Sequence, residues 1–219
     1  MAALDVYLET SPKRVFACAY DWPGYARAGR DEAGAIEQLA AYGSRYSPVA
    51  RAAGLRLEVS SAAHLKVVER LPGDASTAFG VPSKITHRDR SEPTDNEKER
   101  LLSLLTSAWD AFDAVAASSP EELRKGPRGG GRDRTKIVAH VLAAEAGYSR
   151  LLGAKLAEPA PFDARAIAAH RQALSDALRK ADEVVRREPD QRRWPMRYAI
   201  RRIAWHVLDH AWEIEDRRS

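Results

Sequence analysis

A chain of 219 residues with 44% hydrophobic content is long enough for a well-buried core, and no run approaches the roughly 18 consecutive apolar residues that a membrane span needs. The net charge of +4 comes from 35 basic against 31 acidic residues and divides evenly between the two halves. That excludes a concentrated nucleic-acid-binding patch and leaves, at most, local affinity for an anionic substrate. The opening MAALDVYLETSPKR lacks the basic-then-apolar order of a signal peptide, so the expected location is cytoplasmic, with neither membrane nor nucleic acid as partner.

Residues 1–72 read as an α+β unit. LDVYLE alternates apolar and polar, and VFACAYDWPG is an apolar run closed by a Pro-Gly turn. Cys18, the one cysteine, alternates with Phe16 and Tyr20 and is expected as a small core residue. A helical period follows over 31–53, with Gly43 and Pro48 marking a break or irregular end, and LRLEVS and LKVVERL then read as strands. Residues 73–93 are rich in proline and glycine with little periodicity, as in a linker.

From residue 94 onward the pattern is helical. Thr94 and Glu97 have capping-box spacing, and Leu101, Leu104, Leu105, Ala108, Phe112 and Val115 make one apolar face. Further helices are expected over 134–152, 163–187 and 196–217, the last opened by Pro195. Four helices of about 20 residues with connecting loops predict an all-α four-helix bundle over 94–219, following the α+β N-terminal domain.

Chemistry concentrates in WHVLDHAWEIEDR (205–217). His206 and His210 stack one turn apart on a helix, and His140, in the helical run TKIVAHVLAAEAGYSRLL, is a third candidate ligand from a second helix. The same spacing is also what ordinary boundary histidines show, so the residues alone leave both readings open. Arg202 and Glu213 bracket the pair as candidate catalytic groups, and equally as salt-bridge residues. Ala143, Ala144 and Gly147 leave space beside His140. Arg128 and Arg132, with Lys125 and Arg134, are candidates for holding a substrate's carboxylate or phosphate, or are simply the charges of a solvated loop. Three neutral imidazoles suit zinc or nickel and favour activation of a bound water or of an anionic ligand such as a thiolate. His170 is expected in the core, His64 and His87 have no supporting context, and Trp205 and Trp212 are expected to pack.

One histidine on the second helix followed by HxxxH on the fourth resembles the DinB-like metalloprotein superfamily over residues 94–219, with His140, His206 and His210 at the matching positions. The segments LRKGPRGGGRDRTKIVAHVLAAE and RWPMRYAIRRIAWHVLDHAWEIEDR carry that resemblance. It implies a zinc or nickel enzyme, either a hydrolase or an S-transferase or isomerase using a low-molecular-weight thiol such as mycothiol. VFACAYDWPGYARAGRDEAGAIEQLAAYG, with Pro23-Gly24, Gly29 and Ala35, resembles a HicB-like antitoxin domain. No DNA-binding module is recognisable beside it, so that resemblance implies a dimerisation surface, as in a homodimer, or a lid. The competing expectation is a non-catalytic protein that binds a metal or small molecule and uses the HicB-like half for protein interaction.

Overall fold

The computed structural model describes residues 3–126, 131–189 and 191–218. Strands β1 (Leu4–Ser11) and β2 (Arg14–Ala19) form an antiparallel hairpin, β3 (Ala26–Gly29) adds to the outside of β2, and β4 (Leu65–Pro72) runs parallel to β1. The order is β3-β2-β1-β4. Because side chains alternate along a strand, Val6, Leu8, Val15 and Ala17 enter one core while Tyr7, Phe16, Cys18 and Tyr20 enter another with Trp205. Both faces are therefore covered, which explains the near-continuous burial of β1 and β2. Cys18 is a buried core thiol, as expected.

The helical stretch 31–53 divides at Tyr42 into α1 (Glu32–Ala41), capped by the Asp31 carboxylate on the Gly34 N–H, and α2 (Gly43–Ala52), which carries Pro48 inside it. Residues 55–60, expected as a strand, form none. They run instead across the α1–α2 junction, where a Cβ on Gly43 would lie 2.5 Å from the Val59 carbonyl oxygen. The stretch 73–93 contains the short helix α3 (Ala75–Phe79), started by an Asp74 capping box. It is fastened to the sheet by Glu9, whose buried carboxylate accepts from the Ser83 and Lys84 amides at 2.9 and 2.8 Å and from the Thr77 hydroxyl at 3.2 Å.

The expected four-helix bundle is not what residues 94–219 form. Five α-helices occur there among the described residues: α4 (Asp95–Ser118), α5 (Arg134–Ser149), α6 (Ala164–Arg179), α7 (Ala181–Arg187) and α8 (Met196–Arg217). The third expected helix breaks at Lys180 because α7 turns to pack elsewhere. Its buried Asp182 accepts from the Met196 amide at the start of α8, and Val184 meets the Gly153 turn. Moreover, α8 is not a bundle corner, since 14 of its 22 residues are buried and it is covered on more than one side. The sheet covers one of those sides, with Phe16 and Trp205 edge to face at 6.1 Å. One core cluster accordingly runs from Val6 and Leu8 through Leu105, Ile137 and Leu174 to Ile203, so the molecule is α+β with α8 at its centre. Among the described residues, no helix is long and apolar enough to cross a membrane.

Candidate metal centre

Helix α8 presents His206 and His210 one turn apart, and α5, packed against it, presents His140. Ligand-capable atoms of all three lie within 4.8 Å of one another. The His206 and His140 Nε2 atoms are 3.2 Å apart, and the ring centroids are separated by 5.0, 5.0 and 4.7 Å. Two imidazole nitrogens at that distance share one N–H···N hydrogen bond or aim two lone pairs at one cation. Tetrahedral geometry with Zn–N bonds of 2.0–2.1 Å puts neighbouring donors about 3.3 Å apart, so the pair fits a single ion as it stands.

The electrostatics keep His140 and His206 neutral. Burial, followed by the charge of His210, holds His206 well below the usual histidine range, and Arg202 and Arg132 push in the same direction. His140 is lowered by the same two leading causes and by Arg132. Neutral rings are the form that ligates. The His210 Nδ1–H donates to Glu213 Oε2 at 2.7 Å, which fixes the tautomer and leaves Nε2 as the free donor atom. Glu213 is held below the usual glutamate range first by that hydrogen bond, and Arg217 donates to its other oxygen at 2.6 Å. The glycine at 131, with φ of +122°, lets the loop before α5 approach the Arg217 guanidinium, where a Cβ would come within 2.6 Å.

The remaining sequence candidates divide. Glu213 reaches His210, whereas Arg202 stacks over Tyr148 and Trp205 at 5.3 and 4.8 Å and makes no hydrogen bond to the three histidines. Arg132 is exposed, with its charge acting on His140 and His206. Arg128 lies outside the described residues, Lys125 pairs with Asp133, and Arg134 pairs with Glu121. Ala143 and Ala144 are half-buried, and among the described residues a Cβ on Gly147 would meet nothing within 4 Å. His170 is buried and bonds through Nδ1 to the Ala157 carbonyl at 3.0 Å, away from the cluster. His64 ends one short 3-10 turn and His87 precedes another, both on the other half. Trp212 packs edge to face on Tyr42 at 5.1 Å, and Trp205 packs on the sheet.

Two features escaped the sequence reading. Tyr148 stands 6.0 Å from His206, ring to ring, and its spacing of eight from His140 was a signal for one face of α5. The buried group Glu145, His170, Arg171 and Trp109 had none, because burial of a glutamate is not visible in its spacing. No family model, curated protein or solved structure matches this chain.

Proposed function

We propose that this protein is a metal-dependent enzyme in which His140, His206 and His210 hold one divalent ion, zinc or nickel. The observation that carries the reading is the convergence of three imidazoles from two packed helices within 4.8 Å. Glu213 on His210 supports it, because ligating histidines characteristically give their second N–H to a carboxylate. Three protein ligands are the number of a catalytic site rather than of a closed, four-ligand structural one. A divalent ion there supplies Lewis acidity, lowering the pKa of a water or thiol that binds it. His140 and His206 bind through neutral rings, Glu213 orients His210, and Arg132 at the rim favours an anionic reactant. Water as that reactant makes the enzyme a hydrolase. The alternative, a low-molecular-weight thiol and an S-transferase or isomerase, rests on the DinB-like resemblance of residues 94–219.

The test is the metal content of the full chain purified without a histidine tag, measured by mass spectrometry. One equivalent is expected in the native protein and under a tenth in His206→Ala and His210→Ala, with His64→Ala unchanged. Metal retained by both site variants, or absent from native protein incubated with zinc and with nickel, overturns the reading. Consumption of an electrophilic substrate at the same rate with and without added thiol removes the transferase.

A further inference from the structure

A cavity of about 440 Å³ lies between α4, α5 and α6. Val138 lines it from α5 and is two positions from His140, about 200° round the helix, so the cavity is on the side of α5 away from the histidines. Its walls are Trp109, Phe112, Val138, Ile167 and Phe162, and its volume is that of a small-molecule site. Phe162 is the only non-glycine residue with positive φ among the described residues, at 64°, and its ring stays 48% exposed at the cavity edge. A left-handed backbone and an exposed ring are both unfavourable for a phenylalanine, and such strain concentrates where ligands are clamped.

The charges around this cavity are not balanced. Arg171, almost buried, gives both terminal nitrogens to Asp113 at 2.6 and 3.1 Å, so that pair is neutral. Arg134, stacked on Phe162 at 5.1 Å, is neutralised by Glu121. Asp110 also lines the cavity, one turn from Asp113, and has no cation or hydrogen-bond donor among the described residues. This exposed carboxylate therefore stands at the edge of an aromatic, apolar groove with no counter-charge. Aromatic faces attract cations, and Trp109 and Phe162 already carry guanidinium groups at 5.3 and 5.1 Å. An anion would meet Asp110 and would have to displace Asp113 from Arg171.

We infer that the cavity between α4, α5 and α6 is a second ligand site, separate from the metal centre, that takes a small organic cation: an apolar or aromatic body against Phe162 and Ile167, with its ammonium on Asp110. The probe is benzyltrimethylammonium, titrated calorimetrically into the full chain, with phenylacetate and benzyl alcohol as anionic and neutral counterparts. Saturable one-to-one binding of the cation is expected, with the other two at least tenfold weaker. Asp110→Asn lowers affinity for the cation at least tenfold, Asp110→Glu retains it, and Ala168→Trp, which fills the cavity, abolishes it while melting temperature and metal content stay as in the native protein. Absence of saturation with the cation, equal binding of phenylacetate, or unchanged affinity in Asp110→Asn overturns the inference. So does a concentration-dependent dimer that the cation fails to compete with, since the cavity is then covered by a second copy.

Discussion

Glu145 is fully buried in α5, and only one of its oxygens is satisfied, by the Trp109 indole N–H at 2.7 Å. The other oxygen has no hydrogen bond and faces His170 Nε2 at 3.9 Å and Arg171 Nε at 3.8 Å, each of which also lacks a partner there. Burial outweighs the attraction of Arg171 and, with Asp113 on α4 adding to it, pushes the carboxyl up to about 7. Because the folded value lies above the unfolded one, the favourable contribution of the protonated form is complete below about pH 4.5 and is lost as pH rises toward 7. Burial lowers His170, so its titration acts at the acid end of this range. Glu145→Gln keeps the acceptor for Trp109 and removes the cost of ionisation. It should leave stability nearly unchanged at pH 4.5 and raise it by about 2 kcal/mol at pH 8, measured by urea unfolding. An equal effect at both values would mean that the carboxyl titrates in the folded protein as it does in the unfolded chain.

Helix α8 joins recognition and orientation in one element, since His206, His210, Glu213 and Arg217 follow at spacings of four, three and four, and Glu213 bridges the last histidine to the arginine. If the three histidines hold a metal, removing the carboxylate leaves every ligand in place and loosens one. Glu213→Ala should weaken zinc affinity about 10- to 100-fold in competition with a chelator, at unchanged helix content, with Glu213→Gln intermediate. The spacings of His206, His210 and Glu213 were legible in the sequence, as were α4 with its Thr94–Glu97 box and α8 opening after Pro195, because cap chemistry and a 3.6-residue period are local. What was not legible is set by partners distant in the chain. The break at Lys180 depends on where Ala181 and Val184 pack, and LRLEVS has a strand's alternation but no strand to pair with. The four-helix expectation failed for the same reason: α8 has an apolar stripe for the other helices and a second for a sheet folded from the first 72 residues, and the sequence does not say which surface covers which stripe.

Across the whole molecule, the junction between the sheet and α8 contains a buried polar group as well as apolar contacts. The Arg201 guanidinium, on α8, donates from Nε to Asp89 at 3.1 Å, from a second nitrogen to the same carboxylate, and from the third to the Tyr7 hydroxyl on β1. Asp89 is 1% exposed and is held within its own turn by the Thr86 amide at 2.7 Å, so the stretch between β4 and α4 forms part of the joint. A buried ion pair contributes little net stability when intact, because desolvation offsets the attraction, but removing one partner strands the other charge in the core. Asp89→Ala should therefore cost about 3–5 kcal/mol, read as a lower urea midpoint. The double variant Asp89→Ala/Arg201→Met should recover much of that loss, since no charge then remains buried. Because α8 carries both His206 and the junction, the single variant should also lower zinc affinity while the double variant restores it. Loss of stability without loss of affinity would show that the metal ligands are positioned by α5 and α8 alone, independently of the sheet.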